Sequence, residues 1–150
     1  LARRWHPRLL RTARRMLGEA DAAQGVTQEA WLGIQRGIHR LSDPARFGPW
    51  AFGILRRKCV DEIRKRQSQR EPATADVSLA APTDTTDSLA IAQAFATLPP
   101  EQRLAAHLFF VEGFTLAKIA EAQDIPEGTA KSRLFHARRK LKAALSGDNP

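Results

Sequence analysis

The fold of this chain is decided by residues 113–142, which read GFTLAKIAEAQDIPEGTAKSRLFHARRKLK. The segment predicts two helices separated by a tight turn. Thr115 is expected to cap the first helix, because its hydroxyl accepts a backbone N–H that is otherwise unpaired. The break falls at residues 123–126, where Asp124 tolerates a left-handed backbone and Pro126 suits the first position of a helix. This stretch therefore predicts a helix-turn-helix.

The second of these helices is amphipathic and strongly basic. Steps of three and four residues predict a buried stripe, formed by Ala130, Leu134, Ala137, Leu141 and Leu145. Six Lys or Arg and no acid lie between positions 131 and 142. Such a helix can enter the major groove of DNA. The alternative is that the charges only solvate an outer face. The turn and the helix before it favour DNA binding.

Charge is distributed unevenly along the chain. The net charge of +8 predicts a polyanionic partner or an acidic protein surface. Residues 1–71 carry +9, residues 72–100 carry −3 without any base, and residues 101–150 carry +2. Residues 71–88 lack periodicity and predict an acidic flexible linker. We therefore expect an N-terminal domain over 1–70 and a C-terminal domain over 89–146.

Helical periodicity extends through both predicted domains. The N-terminal one predicts helices at about 1–18, 26–40 and 50–69, with a loop or broken helix over 41–49. Their inward faces are predicted to hold Trp5, Leu9, Ala13, Met16, Leu17, Val26, Ala30, Ile34, Ile38, Ala51, Leu55, Cys59 and Ile63. A short helix at 89–98 and another opened by Pro99-Pro100 follow, the latter with Leu104, Leu108 and Val111 inward. No stretch shows strand alternation, so the predicted fold is all-α: two small helical domains joined by a flexible linker.

The sequence shows no catalytic or metal-binding pattern. It has no glycine-rich phosphate loop and no arrangement typical of a catalytic triad. None of the histidines pairs with Cys59 at metal-ligand spacing, and we interpret each as a surface or core-edge residue: His6, His39, His107 and His136. We therefore expect no enzyme, no cofactor and no metal.

The expected location is a reducing cytoplasm without membrane insertion. A lone cysteine excludes a disulfide framework, and no apolar run reaches the roughly 20 residues that span a bilayer. The first residue is Leu1 rather than Met, so we also expect a trimmed N-terminus.

Two blocks of sequence resemble the extracytoplasmic-function (ECF) sigma factors, the promoter-recognition subunits of bacterial RNA polymerase. The N-terminal block contains PRLLRTARRMLG, VTQEAWLGIQRGI and FGPWAFGILRRKCVDEIRKRQ. In the C-terminal block, LPPEQR, EGFT, KIAE and PEGTAKSRL follow the family's order and spacing. The resemblance covers nearly all of the chain outside the linker. It implies a sigma factor that directs core polymerase to promoters by −35 recognition and by −10 recognition and melting.

The resemblance also implies roles for individual residues. The −35 element would be read by Lys131, Ser132, Arg133, Phe135, His136, Arg138 and Arg139, the last two at phosphates. The −10 element would be held by Phe47, Trp50, Arg56, Arg57 and Arg64, and the loop 41–49 would receive a flipped base. The polymerase clamp would be met by Gln28, Glu29 and Trp31. Two alternatives stay open: Phe135 packs against the domain or an inhibitor, and the aromatic pair Phe47 and Trp50 belongs to the core.

The partners implied are the clamp coiled coil and flap of core polymerase, promoter DNA and an anti-sigma factor. The linker would run toward the catalytic cleft and the RNA exit path. The chain departs from the family pattern in several places. Gln24 and Gly25 replace acids before the Gln-Glu pair, and Arg57 replaces an Asn. In the turn Gln123-Asp124 replaces Leu-Gly, and Ala130 replaces Val. We expect these changes to affect clamp binding and promoter preference.

A stand-alone helix-turn-helix regulator is the competing interpretation. It would bind duplex operators without polymerase, usually as a symmetric dimer. Size-exclusion of the free chain and a gel shift without polymerase would separate the two. An RNA-binding antiterminator is disfavoured, because aromatic stacking platforms are missing.

Overall fold

The computed structural model describes residues 1–69 and 86–146. The N-terminal half contains α1 (Ala2–Leu17), α2 (Ala20–Gly37), two short 3-10 turns (Ile38–Arg40 and Pro44–Arg46) and α3 (Phe47–Gln69). The C-terminal half contains α4 (Thr86–Ala96), α5 (Pro100–Phe110), α6 (Leu116–Gln123) and α7 (Glu127–Ser146). No strand occurs in either segment, so the all-α prediction is confirmed.

Local sequence signals set most helix ends. Gly18 has a φ of 73° and its N–H donates to Arg14 O at 2.8 Å, which closes α1. The hydroxyl of Thr115 accepts the N–H of Lys118 at 3.2 Å and caps α6, as predicted. Asp124 ends α6 with a φ of 56° and a ψ of 52°. The helix-turn-helix therefore forms around the residues that predicted it.

Three helix starts differ from the prediction. The α2 helix begins earlier, at Ala20, because the Glu19 carboxylate accepts the N–H of Ala22 at 3.1 Å and caps it. The α3 helix begins at Phe47 rather than Trp50, since a proline in the first helical turn lacks only an N–H that has no partner there. Positions 86–88 of the predicted linker are helical, and positions 70–85 lie outside the described residues.

The predicted inward faces are largely buried, with three errors near helix ends. Ile38 and Val111 are each 36% exposed and Leu145 is 52% exposed. Ile38 falls in a 3-10 turn, where the tighter winding changes the direction of the side chain. Val111 follows the last residue of α5, and Leu145 lies in the last turn of α7. The prediction carried the 3.6-residue periodicity beyond the last residue of each helix that packs on the core.

The two halves pack against each other on a shared core. One hydrophobic cluster joins residues of α1 and α3 to residues of α5 and α6. The rings of Phe52 and Phe114 meet edge to face, with centroids 5.3 Å apart. At Gly53 the two halves approach so closely that a Cβ would lie 3.3 Å from the Ala122 carbonyl oxygen. We call this packing the closed arrangement.

Candidate nucleic-acid interface

The outer face of α7 is exposed and cationic. Its exposed side chains are Lys131, Ser132, Phe135, His136, Arg138, Arg139, Lys140 and Lys142. No acid follows Glu127 in the helix. The ring of Phe135 is 58% exposed, and the Arg139 guanidinium lies 5.9 Å from its centroid. Phe135 is therefore not part of the protein's own core. Contact with DNA and contact with an inhibitor remain as its possible roles.

Arg133 differs from the other cations of α7. Its side chain is only 26% exposed, and its Nη1 lies 3.6 Å from Oε1 of Glu101. That distance fits an ion pair but is too long for a hydrogen bond. The sequence placed Arg133 on the outer face because a single helix does not reveal where α5 lies.

The cations of α3 fall into two groups. Arg57 and Arg64 are exposed. Arg56 is half-buried and forms a bidentate pair with Glu101, with Nε–Oε1 at 3.1 Å and Nη2–Oε2 at 2.8 Å. One of the predicted −10 arginines is therefore neutralised by the C-terminal half in the closed arrangement.

The aromatic residues at the start of α3 are also divided. Phe47 is 5% exposed and packs edge to face on Trp5, with centroids 5.2 Å apart. Its ring belongs to the core, as the alternative interpretation had it, because α3 begins at Phe47 and turns the ring toward α1. Trp50 is half-buried and borders an open cavity of about 240 Å³. The cavity is lined by Gly37, Arg40, Leu41, Arg46, Trp50 and Glu121.

The loop cavity includes a contact between the two halves. Arg46 donates from Nε and Nη2 to Oε2 of Glu121, at 3.0 and 2.8 Å. Arg46 belongs to the loop 41–49, whereas Glu121 belongs to α6. The surface predicted to receive a base is thus partly covered by the helix-turn-helix.

The predicted clamp residues lie on α2. Gln28 and Glu29 are exposed. Trp31 is half-buried, and its Nε1 donates to Nδ1 of His6 at 3.0 Å with the rings stacked. Trp31 is therefore held against α1, while the two neighbouring polar residues face solvent.

The carboxylate of Glu101, on α5, contacts side chains from three other helices. Besides the pair with Arg56, it accepts a hydrogen bond from Nε2 of Gln123 at 3.1 Å. The same Nε2 donates to the Glu101 carbonyl oxygen at 2.9 Å. Gln123 is fully buried, and it stands where the resemblance leads one to expect Leu. We call Glu101, Arg56, Gln123 and Arg133 the Glu101 cluster.

A second carboxylate, Glu112, is buried between α1 and the turn after α5. Its side chain has no exposed surface. It accepts from Arg8 Nε and Arg11 Nε, each at 2.8 Å, and lies 3.0 Å from Nε2 of His107. The Thr12 hydroxyl lies 2.8 Å from the same imidazole nitrogen. We call these five residues the Glu112 cluster.

Burial and hydrogen bonding oppose each other at Glu112. Burial alone would raise the pKa of its carboxyl, but hydrogen bonds from His107, Arg11 and Arg8 outweigh it and hold the pKa well below the usual range. Burial lowers the pKa of His107 and favours the neutral imidazole. The prediction that His107 is a surface or core-edge residue was wrong, since it is 1% exposed.

The sequence held one signal for the Glu112 cluster. Residues 1–18 carry six arginines and no acid, so an acidic partner elsewhere was to be expected. Which acid serves depends on packing between positions about 100 residues apart, and no local pattern reveals that.

Comparison with known proteins matches both halves. The sigma-70 region 2 family model matches residues 1–69, and the sigma-70 region 4 model matches residues 88–141. The ECF RNA polymerase sigma factor SigL of Mycobacterium tuberculosis is 34% identical over 146 residues, covering 91% of this chain and 82% of SigL. The chain belongs to the ECF sigma factors. The sigma factor is also 30% identical to SigM of the same species, over 97% of this chain and 75% of SigM.

The fold agrees with a solved sigma factor structure. RpoE from Bartonella quintana, in complex with the anti-sigma factor NepR, is similar with a TM-score of 0.77 and 22% identity. The match covers 95% of this chain and 92% of RpoE. Promoter recognition through RNA polymerase is thus the function of the chain, and sigma factors initiate transcription without being enzymes. None of the described helices is long and apolar enough to cross a membrane.

Proposed function

We propose that this sigma factor reads a bipartite promoter with two separate surfaces. The exposed face of α7 would read the −35 element, and α3 with the loop 41–49 would read and help to melt the −10 element. The observation that carries the proposal is the exposed, acid-free cationic face of the second helix in a helix-turn-helix. In this proposal the −10 surface belongs to an N-terminal domain (1–70) and the −35 surface to a C-terminal domain (89–146), with a linker (71–88) between them.

On the −35 side, Lys131, Ser132 and His136 would lie nearest the bases. Phe135 is exposed and can contact a thymine methyl group. Phosphate contacts supply orientation and affinity, and they fall to Arg138 and Arg139. If Lys131 and Arg133 also neutralise phosphates, log K should fall with log salt at a slope of about −3 to −4.

On the −10 side, the exposed Arg57 and Arg64 would hold phosphates at the upstream edge. The surface beside Trp50 would take a flipped base once Glu121 of α6 has moved away, and such a base is recognised by stacking and edge contacts. Opening the duplex costs about 1.4 kcal/mol per base step. One small pocket does not supply that free energy, so the polymerase must contribute.

The proposed partners include RNA polymerase, because this chain alone does not supply the free energy to open the duplex. Gln28 and Glu29 are exposed on α2 and would meet the clamp coiled coil, while the C-terminal half would meet the flap. Because RpoE is similar in fold and was solved with an anti-sigma factor, we also propose an anti-sigma partner. Transcription takes place beside the chromosome, so we place the protein in the cytoplasm.

Run-off transcription with core polymerase tests these assignments, using a promoter library randomised at both elements. Arg138→Ala removes a proposed phosphate contact at −35 and is expected to lower transcription from all promoters of the library. Lys131→Ala is expected to change the base preference at −35 alone. Arg57→Ala should change the −10 requirement alone. Arg4→Ala removes an exposed cation from α1 and serves as the matched control. Variants that alter both elements together, or neither, would contradict the division into two surfaces.

A further inference from the structure

The Glu101 cluster joins cations from both proposed promoter surfaces. Arg56 belongs to the −10 helix and Arg133 to the −35 helix, yet both contact the same carboxylate. Elements centred at −10 and −35 are about 25 base pairs apart, or roughly 85 Å at 3.4 Å per base pair. The closed arrangement therefore cannot hold both elements at once.

We propose that Glu101 acts as an internal substitute for promoter phosphate and keeps the free sigma factor in an inhibited, closed arrangement. The inference rests on the proposed DNA-binding roles of Arg56 and Arg133. A carboxylate and a phosphate present similar paired oxygens to a guanidinium, and Arg56 already makes the bidentate contact. DNA must displace Glu101 before Arg56 can bind a phosphate in the same way.

Gln123 is the support of this contact. Its amide is fully buried, and its Nε2 binds both the carbonyl and the carboxylate of Glu101. Its Oε1 has no hydrogen-bond partner within the described residues. A buried amide with an unpaired oxygen destabilises the fold relative to an apolar side chain. Gln123 is thus poorly suited to simple core packing, but well placed to fix the orientation of Glu101.

A carboxylate of the helix-turn-helix also covers a −10 surface. Glu121 pairs with Arg46 beside the loop cavity. Both contacts flank the close approach of α3 and α6 at Gly53. The C-terminal half therefore places acids on the −10 helix and on the loop next to it, and separation of the halves would release both sites.

Two distance probes can measure the closed arrangement directly in the full chain. Spin labels would be attached to cysteines introduced at the exposed positions Gln35 and Lys142. The native Cys59 is fully buried, and burial raises the pKa of its thiol to about 12, so it will not compete for the label. We expect one narrow distance in the free protein and a larger fraction of molecules at longer distances in Glu101→Gln and Gln123→Leu.

Asp124→Asn is the matched control for the lost charge. It removes one acid from an exposed turn of the same half and retains a side chain that tolerates the left-handed backbone. The control should keep the narrow distance. A broad distance in the unmodified protein, or no gain of longer distances in Glu101→Gln, would overturn the proposal without reference to DNA.

Binding to single-stranded DNA carrying a −10 element then tests inhibition, because the bidentate contact of Glu101 is made with Arg56 of the −10 helix. Both charge changes should tighten binding through general electrostatics. Glu101→Gln should exceed Asp124→Asn by up to about fivefold, which corresponds to losing one partly exposed ion pair. Equal gains in the two variants would overturn the inhibitory role. If no form of the protein bound DNA, the proposed function would fail, whereas the distances would still decide whether Glu101 holds the halves together.

Discussion

Glu101 and Glu112 both connect the C-terminal half to arginines of the N-terminal half, but they differ in exposure. The Glu112 side chain is fully buried, whereas that of Glu101 is 32% exposed. The partners of Glu112 come from α1 and α5, and none of them is a proposed DNA contact. Those of Glu101 include one arginine from each promoter surface. The difference indicates that both carboxylates stabilise the closed arrangement, but that only Glu101 is accessible enough to be replaced by DNA.

The largest expected effect tests the buried member of this pair. Glu112→Gln leaves Arg8, Arg11 and their surroundings without the opposing charge. Removing one partner of a buried ion pair typically costs about 3–5 kcal/mol. Because Arg8 and Arg11 are partly exposed, we expect a loss at the lower end of this range, which urea denaturation would measure as a decrease in unfolding free energy. Asp124→Asn, at an exposed position, should change it by less than about 0.5 kcal/mol. A similar result for both variants would mean that Glu112 is not a structural centre.

A smaller effect is expected from disturbing the contact between α3 and α6 at Gly53. A Cβ at Gly53 would already lie 3.3 Å from backbone, so Gly53→Leu must push α6 away. Overpacking of this kind costs about 1–3 kcal/mol, measurable in the same denaturation experiment. Gly25→Ala is the control, because a Cβ added at Gly25 would have no atom within 4 Å. It should stabilise the protein by up to about 1 kcal/mol, since alanine favours a helix more than glycine does. A stabilised Gly53→Leu variant would show that the halves do not pack as described.

The exposed member of the pair should matter less for stability. Glu101→Gln is expected to lower the unfolding free energy by no more than about 1 kcal/mol, because solvent screens a partly exposed ion pair. Thermal unfolding at low and high salt would measure the difference, which should shrink as salt is added. A loss as large as that of Glu112→Gln would erase the distinction between the two clusters.

Mild acidification should change the free energy of unfolding least, and the change should come from His107. Burial lowers the pKa of His107 in the closed arrangement from its ordinary value of 6.5. The separated or unfolded form therefore takes up the proton first, and stability falls as the pH drops below about 6.5. Glu112 stays ionised in this range, because its pKa is held low.

Denaturation midpoints between pH 7.5 and 5.5 would measure this dependence. His107→Gln should make the dependence on pH shallower. An unchanged slope in that variant would show that His107 does not titrate with separation of the halves.

The sequence predicted the features that depend on neighbouring residues. Thr115, Asp124 and Gly18 act through their own backbone or through bonds within one turn, so the helix-turn-helix and the end of α1 were predictable. The exposed cationic face of α7 followed from helical spacing. Errors appeared where a helix ends, as at Ile38 and Leu145, because periodicity does not show where packing stops.

Contacts between the halves could not be predicted in this way. The pairing of Arg8 with Glu112, and of Arg56 with Glu101, joins positions far apart in the chain. In the sequence, the replacement of Leu by Gln123 was only a departure from the family pattern. Its role as a donor to Glu101 became visible once α5 and α6 were placed side by side.

The central claim is that the two halves leave the closed arrangement and bind separate promoter elements together with polymerase. The most direct test is the distance between labels at positions 35 and 142, measured first in the free sigma factor and then in a complex with bacterial core polymerase and promoter DNA. We expect a short, narrow distance in the free protein and an increase of several tens of ångströms in the complex, of the order of the roughly 85 Å between the elements. A complex that initiates transcription while keeping the distance of the free protein would contradict the claim.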